Sequence, residues 1–155
     1  MPDMLVHLLT LPPVPPAPEG VQIRRALAPD KLRIVEWVRE HSGISAAGEC
    51  DVCFAHHPVS CFIATRGAEI IGYACYDATA PDFFGPTRVL DSEQRRGVGQ
   101  ALLLSCLHAM AAEGYVYGII GGVGPAAFYE KTVGATLIPD STPGIYKDFL
   151  GGMRH

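Results

Sequence analysis

A glycine-containing turn directly in front of an apolar helix constrains the fold of this chain more than any other feature. Residues 92–110 read SEQRRGVGQALLLSCLHAM. Four apolar residues of this stretch follow the i, i+3, i+4, i+7 spacing of one helix face: Leu103, Cys106, Leu107 and Met110. Segment 86–90, PTRVL, predicts a strand just before the turn. Gly97 and Gly99 allow a sharp bend where the helix starts, and the free backbone amides and helix dipole there favour an anion such as phosphate.

The length and the composition indicate a single globular domain with an N-terminal arm. The chain has 155 residues, of which 48% are hydrophobic and 18% charged, and this is the size and composition of one folded domain. Five prolines within residues 12–20 predict a stiff, extended connector. We therefore expect a proline-rich arm over residues 1–20 and one domain over residues 21–155. Residues 4–11 are interpreted as either an extra strand or a partner-binding segment.

Charge, cysteine content and the N-terminal segment indicate where the protein works and what it does not bind. The formal net charge is −4, so the chain lacks the basic excess that drives nucleic-acid binding. The five cysteines are an odd number, and several lie in apolar runs, which indicates free buried thiols in a reducing compartment. The N-terminal MLVHLLTL has no basic start and is too short to cross a membrane. We expect a cytoplasmic protein with neither a nucleic-acid nor a membrane partner.

Strand-like and helix-like segments alternate along the rest of the chain. Strands are predicted over 21–27, 86–90 and 115–120, as a hairpin over 60–79, and twice within 135–150. Helices are predicted over 30–41, 97–113 and 125–133, with one short helix in the less regular segment 42–58. This order favours an α/β (α+β) fold in which helices cover a mixed sheet.

Two nucleotide-binding motifs that contain glycines do not fit this chain. No Gly-Lys-Ser/Thr follows the turn, so it is not a P-loop. Leu102 stands where the dinucleotide-binding fingerprint needs glycine or alanine. A second stretch, GGVGPAA at 121–127, matches the spacing of that fingerprint, but only 28 residues follow it. That length is too short for the rest of a dinucleotide-binding fold.

Two motifs, in the right order and spacing, resemble one family. Residues 94–101, QRRGVGQA, resemble the Gln/Arg-x-x-Gly-x-Gly/Ala signature of the GNAT superfamily of acyl-CoA-dependent N-acetyltransferases. Residues 126–135, AAFYEKTVGA, resemble that family's Phe-Tyr-x-Lys-x-Gly segment, which lies on the helix after the next strand. The resemblance extends over residues 21–150. It implies a mixed, mostly antiparallel central sheet of six or seven strands, with helices on both faces and a splayed pair of central strands.

The resemblance also implies how the cosubstrate, acetyl-CoA, binds. In the family, amides of the loop hold the pyrophosphate of coenzyme A, and the strand before the loop hydrogen-bonds the pantetheine. Carried over to this sequence, the cofactor-binding residues are Val89, Leu90, Asp91, Gln94, Arg95, Arg96, Gly97, Val98, Gly99, Gln100, Ala101, Gly124, Phe128 and Tyr129. Tyr129 also corresponds to the tyrosine that often protonates the departing CoA thiolate. The alternative for Tyr129 is a core residue with its hydroxyl at the surface.

Acetyl transfer to an amine needs a neutral amine, a polarised thioester carbonyl and a proton for the sulfur. A backbone N–H near Leu90 or Asp91 is the predicted donor to the carbonyl oxygen. Alkyl ammonium ions have a pKa of about 10, so a base or a water chain must remove a proton. Glu93 and Asp77 join Tyr129 as the predicted catalytic residues, although a solvated or capping role is the alternative for each carboxylate. Other candidates for the base are Asp91 and the His56–His57 pair.

The spacing Cys50-x-x-Cys53-x-x-His56-His57 is one at which thiolates and imidazoles can bind zinc. A zinc site of this kind needs ligands from a second, distant pair, and the pattern does not supply one. We therefore expect no metal, and we interpret segment 42–58 as a helix and loop that form the wall of the acceptor pocket.

The sequence thus predicts an enzyme that transfers the acetyl group of acetyl-CoA to a primary amine of a small molecule by direct attack. The run FFGPTRV, taken with the two motifs, is similar to GNAT domains associated with amino sugars, which suggests a glucosamine-like acceptor. The alternative is a non-catalytic acyl-CoA-binding or interaction module. The sequence does not decide between a monomer and a homodimer.

Overall fold

The computed structural model describes residues 1–152 and contains one open sheet with helices on both faces. Within these residues the strands are β1 (Met4–His7), β2 (Val21–Arg25), β3 (Cys61–Arg66), β4 (Glu69–Tyr76), β5 (Phe83–Val89), β6 (Tyr117–Ile120) and β7 (Thr136–Leu137). The α-helices are α1 (Lys31–Ser42), α2 (Ile44–Cys53), α3 (Val98–Ala112) and α4 (Ala126–Val133). None of these helices has the length and apolar character needed to cross a membrane.

The strands form a seven-stranded sheet in the order β2-β3-β4-β5-β6-β1-β7. All neighbouring strands are antiparallel except β5 and β6, which are parallel. The parallel pair is possible because α3 carries the chain from the end of β5 back to the start of β6. The structure therefore confirms the predicted mixed, mostly antiparallel sheet.

The N-terminal segment is part of the sheet. Strand β1 lies between β6 and β7, and the side chains of Met4 and Val6 are fully buried. The backbone just before β1 also makes sheet-like contacts, because Asp3 O accepts a hydrogen bond from Ile138 N at 2.9 Å. Of the two interpretations of segment 4–11, the strand holds for residues 4–7. The division into an arm over residues 1–20 and a domain over residues 21–155 stays a prediction. The last three residues of that domain, 153–155, lie outside the described residues.

Successive side chains of the central strands point to opposite faces of the sheet and therefore pack in two separate hydrophobic cores. Tyr73 and Cys75 of β4 pack in the core formed with α1 and α2. Ala74 and Tyr76, which point to the opposite face, pack in the core formed with α3. The four residues that predicted the buried face of α3 all lie in that second core. Helices therefore cover both faces of the sheet, as expected.

Two regions differ from the sequence-based expectation. Segment 42–58 is more regular than predicted, since α2 spans ten residues. The prediction of two strands in the tail is wrong for the second strand, because the chain forms a short 3-10 turn over Gly144–Tyr146 after β7. Pro143 has no N–H to donate to a ladder and Gly144 has a φ of +65°, so this stretch turns instead of extending.

Candidate active site

A cleft opens where β5 and β6 separate. The two strands pair only at Phe83↔Ile119 and Phe84↔Ile120, although β5 continues as far as Val89. Beyond Phe84 the strands diverge, which confirms the predicted splayed central pair. The cleft between them has a volume of about 980 Å³, which is at the upper end of the range for small-molecule sites.

The unpaired edge of β5 presents backbone polar groups to the cleft. Leu90 N donates to Ile71 O of β4 at 2.9 Å. Because alternate residues of a strand direct their N–H and C=O groups to opposite edges, Thr87 and Val89 direct theirs away from β4. Gln94 supports this orientation, since its Nε2 donates to Val89 O at 3.2 Å. The cleft wall formed by Thr87 and Val89 can therefore hydrogen-bond an extended amide-containing ligand.

The glycine turn forms one end of the cleft. Arg95 and Gly97 both have positive φ, +65° and +90°, and helix α3 begins at Val98. The first helical hydrogen bond runs from Ala101 N to Gly97 O, so the amides of residues 98–100 have no helical acceptor. Helix α3 starts beside β5 here, and a Cβ on Gly99 would make only an ordinary contact, 3.7 Å from Val89 Cγ2. This end of the cleft offers free N–H donors and the positive end of a helix dipole.

Tyr129 of α4 lies on the opposite wall of the cleft. Its side chain is 7% exposed and lies edge-on to the rings of Phe84 and Phe128. Burial raises the pKa of Tyr129 above its ordinary value, because a phenolate is poorly solvated there. The phenol therefore keeps its proton near neutral pH and can act as a proton donor.

Comparison with known proteins identifies the family. The model of the acetyltransferase (GNAT) family matches residues 22–135, which is well over half of the chain. This protein belongs to the GNAT acetyltransferase family. No curated protein sequence gives a significant match.

Solved GNAT structures share the fold at low sequence identity. A GCN5-related N-acetyltransferase from Sphaerobacter thermophilus is 21% identical with a TM-score of 0.66, and the match covers 88% of this chain and 48% of that one. A GNAT family acetyltransferase from Brucella melitensis, in complex with acetyl-CoA, is 15% identical with a TM-score of 0.54 and coverages of 76% and 86%. A glucosamine N-acetyltransferase region of a fungal multi-domain protein is 10% identical with a TM-score of 0.69 and coverages of 88% and 19%. The chain thus spans about half the length of the Sphaerobacter protein.

Most of the predicted cofactor residues of this GNAT protein line the cleft. Those that do are Val89, Gln94, Arg95, Gly97, Gly99, Gln100, Gly124, Phe128 and Tyr129. Those that do not are Leu90, Asp91, Arg96, Val98 and Ala101. The side chains of Val98 and Ala101 are buried in the core. The amide of Ala101 is bonded to Gly97 O, so of these two residues only Val98 has a free amide. Leu90 N is already bonded to Ile71 O, so the amides directed at the cleft are those of Thr87 and Val89.

The structure does not bring the two predicted catalytic carboxylates to the cleft. Glu93 accepts two hydrogen bonds from Arg66, at 2.9 and 3.0 Å, and is nearly buried. This contact with Arg66 lowers the pKa of Glu93. Asp77 lies in a separate depression of about 440 Å³ with His56 and Tyr115. Neither carboxylate thus lines the cleft that Tyr129 lines. Asp77 makes a local contact instead, since its Oδ1 accepts a hydrogen bond from Asp82 N at 2.7 Å.

Four residues at the ends of the chain line the cleft although the sequence did not indicate them. They are Met1, Pro143, Tyr146 and Phe149. Tyr146 donates to Glu49 Oε2 of α2 at 2.6 Å, and burial together with this contact raises the pKa of Tyr146 to about 12. The only signal in the sequence was two aromatic residues that follow the turn-forming residues of the tail. Met1 reaches the cleft because β1 lies beside β6.

Proposed function

We propose that this protein transfers the acetyl group of acetyl-CoA to a primary amine of a small molecule. One observation carries the proposal. The free amides at the start of α3, the unpaired edge of β5 and the Tyr129 phenol all face one cleft. They supply the three groups that acetyl transfer from a thioester needs: a diphosphate site, donors along an extended chain and a proton source.

The diphosphate of acetyl-CoA binds at the start of α3. The amides of residues 98–100 donate to its oxygens, and the helix dipole adds a favourable interaction with the negative charge. Arg95 and Arg96 are exposed beside this site and add positive charge at its entrance. The pantetheine arm then extends along β5, where Thr87 and Val89 hydrogen-bond its amide groups.

The acetyl group lies between β5 and Tyr129. A β5 amide donates to the thioester oxygen and stabilises the negative charge that develops when the amine attacks the carbonyl carbon. The tetrahedral intermediate then collapses as the C–S bond breaks, and Tyr129 donates its proton to the departing sulfur. The attacking nitrogen loses its proton to water in the open cleft, and the phenolate of Tyr129 is reprotonated from solvent.

Direct attack is the route that the cleft lining supports. All five cysteines are buried outside it. The hydroxyl of Thr87 is already bonded to Tyr73 O at 3.0 Å. Among the described residues that line the cleft there is thus no free cysteine, serine, threonine or lysine side chain that could carry the acetyl group as a covalent intermediate.

An amino sugar is the acceptor that we propose. Tyr146 and Phe149 form an aromatic wall at the tail end of the cleft, and flat apolar rings of this kind pack against the C–H faces of sugars. The fungal glucosamine N-acetyltransferase region shares this fold.

We also propose a cytoplasmic location, because all five buried cysteines are free thiols. Sedimentation of the purified protein distinguishes a monomer from a homodimer.

The alternative function is an acyl-CoA-binding module without turnover. It is favoured by the lack of any carboxylate or histidine among the described residues that line the cleft, since such a site has no strong general base. Both functions predict that acetyl-CoA raises the melting temperature. Only the enzyme releases free CoA when an amine is added.

The deciding experiment measures CoA release with a panel of amines for the wild type and for Tyr129→Phe. We expect kcat to fall about 100-fold in Tyr129→Phe, as for the loss of a general acid, with little change in the KM for acetyl-CoA. Tyr117→Phe is the matched control, because Tyr117 lies on β6 with half of its surface exposed. Stabilisation by acetyl-CoA without CoA release from any amine favours the binding module. No stabilisation by acetyl-CoA contradicts both functions.

A further inference from the structure

Three of the five cysteines converge beneath helix α2, and a fourth, Cys53, lies beside them on that helix. The Sγ atoms of Cys50, Cys61 and Cys75 all lie within 4.8 Å of one another, and the three residues have no exposed surface. They come from three different elements, since Cys50 lies on α2, Cys61 on β3 and Cys75 on β4. Cys61 and Cys75 are directly opposite each other in the β3–β4 ladder. Burial and cross-strand pairing thus hold these sulfur atoms together.

Cys53 is the candidate for a fourth ligand. It lies one helical turn after Cys50, so the two side chains share a face of α2. Cys53 is also fully buried, and its Sγ lies 3.7 Å from Glu49 O and 3.8 Å from Tyr76 O. Helix α2 therefore places one thiol, that of Cys50, in the group of three and holds the thiol of Cys53 beside that group.

This arrangement removes the objection that the sequence raised against a metal. The Cys-x-x-Cys pair lacked a second, distant pair of ligands in the sequence, and the hairpin supplies one in Cys61 and Cys75. The two histidines of the original pattern are not part of the cluster. His56 is exposed and its Nε2 contacts Asp77 O at 2.9 Å, while His57 is exposed as well.

The geometry and the donor type both suit a soft metal ion. Four sulfurs at about 2.3 Å from a tetrahedral centre lie about 3.8 Å apart, so the Sγ atoms of Cys50, Cys61 and Cys75 need to move by no more than about 1 Å. The thiol of Cys53 has to turn from the oxygens of Glu49 and Tyr76 to join them. Thiolates select Zn²⁺ or Cu⁺ over Mg²⁺ and Ca²⁺, which prefer oxygen ligands. The surrounding core, with Ile34, Val38 and Ile63, excludes water and thereby protects thiolate–metal bonds.

We propose that Cys50, Cys53, Cys61 and Cys75 bind one thiophilic ion, Zn²⁺ or Cu⁺, that fastens α2 to the β3–β4 hairpin. Each thiol that ligates the ion releases its proton to solvent as the sulfur–metal bond forms. Because the cluster is fully buried, the ion enters while the chain folds. The proposal does not depend on the acetyltransferase function.

Fastening α2 has a consequence for the cleft. Glu49, next to Cys50 on α2, accepts hydrogen bonds from Tyr146 and from Thr79. Tyr146 is one of the aromatic residues that line the tail end of the cleft. The ion would therefore fix the position of α2, and with it Glu49, which holds Tyr146 in the cleft wall. It would do so without contacting any substrate.

The test measures metal content in the protein purified in reductant and without chelator. We expect one zinc or one copper ion per chain, and elemental analysis distinguishes the two. The Cys50→Ser and Cys75→Ser variants should lose most of this metal. Cys106→Ser is the matched control, because Cys106 is an equally buried thiol on α3 that contacts Ala74 O instead of another cysteine. An equal metal content per chain in Cys50→Ser, Cys75→Ser and the control Cys106→Ser contradicts the proposal.

A refolding experiment on the wild type covers the case in which the serine variants do not fold. Protein unfolded with chelator and reductant is refolded with Co²⁺, and the sulfur-to-cobalt charge-transfer absorption is recorded. We expect this absorption at one Co²⁺ per chain, with displacement by Zn²⁺ and a higher melting temperature than for protein refolded with chelator. A native circular-dichroism spectrum without the absorption overturns the proposal. The proposal is also overturned if the purified protein contains no metal and its intact mass is lower than that of the reduced chain by two hydrogen atoms, which indicates one disulfide.

Discussion

The two ends of the cleft are built from different kinds of sequence. The end at the start of α3 consists of residues that are close together in the chain, and its ligand-binding groups are mostly backbone amides. The tail end consists of side chains from both termini, including Met1, Tyr146 and Phe149. The first end is fixed by local turn geometry and a buried helix, whereas the second depends on where β1 and the tail pack. Cofactor binding should therefore be robust and local, and acceptor binding should be sensitive to distant changes.

The largest expected difference between the two ends concerns stability. Leu107→Ala removes a fully buried side chain of α3, and we expect it to lower the free energy of unfolding by about 2–5 kcal/mol. Leu150→Ala in the tail removes a side chain that is 91% exposed, and its effect should stay within about 0.5 kcal/mol. Urea denaturation of both variants measures the difference. Equal losses would show that the tail is as firmly packed as α3.

The glycine turn provides a second test, in which its two glycines, Gly97 and Gly99, should behave differently. Gly97 has a φ of +90°, so Gly97→Ala should cost about 1–2 kcal/mol of backbone strain and raise the KM for acetyl-CoA. Gly99→Ala is the control, because the added Cβ would make only an ordinary contact at 3.7 Å from Val89. Steady-state kinetics with varied acetyl-CoA compares the two. A stronger effect for Gly99→Ala would contradict the described turn.

At the tail end, Tyr146→Phe removes the hydroxyl that donates to Glu49. We expect a loss of about 0.5–1.5 kcal/mol in stability, as for one hydrogen bond. The KM for the acceptor amine should rise while the KM for acetyl-CoA stays the same, because the residue lies at the acceptor end. A change confined to the KM for acetyl-CoA would reverse the assignment of the two ends.

The smallest expected effect is a pH dependence of the cofactor loop. Arg66 lowers the pKa of Glu93 below its ordinary value, so the ion pair stabilises the folded state above the unfolded-state pKa of about 4.3. That contribution should disappear as the pH falls through the lower, folded-state pKa. The melting-temperature difference between the wild type and Glu93→Gln should therefore be present at pH 7 and shrink below about pH 4. A difference that does not change with pH would show that the charge of Glu93 is not involved.

The sequence predicted those parts of the fold and site that depend on contiguous residues. The strand–turn–helix unit at 86–113 and the Tyr129 segment were predictable because their motifs and helix periodicity are local. The position of β1 between β6 and β7 was not predictable, since the short, mostly apolar segment 4–11 before a proline-rich stretch fits either a strand or an arm. The tail-end wall was missed for the same reason, because its residues meet only once β1 is in place.

The positions of the two carboxylates and of the clustered cysteines could not be predicted either, because they also depend on residues that are distant in the chain. Glu93 was chosen for its nearness in sequence to the motif and Asp77 because its strand was expected to lie beside the acetyl site, but side-chain direction on a loop is set by partners such as Arg66. The convergence of Cys61 and Cys75 on Cys50 depends on the register of the β3–β4 hairpin. That register contains an irregularity between Ala64 and Thr65, which no residue pattern in the chain indicates.

The central claim is that the amides at the start of α3 hold the diphosphate of acetyl-CoA. A crystal structure of the complex with acetyl-CoA tests it most directly. We predict diphosphate oxygens within about 3 Å of backbone nitrogens in residues 98–100, with the pantetheine beside Thr87 and Val89. A complex in which the diphosphate lies elsewhere, with those nitrogens bonded only to water or protein, would contradict it.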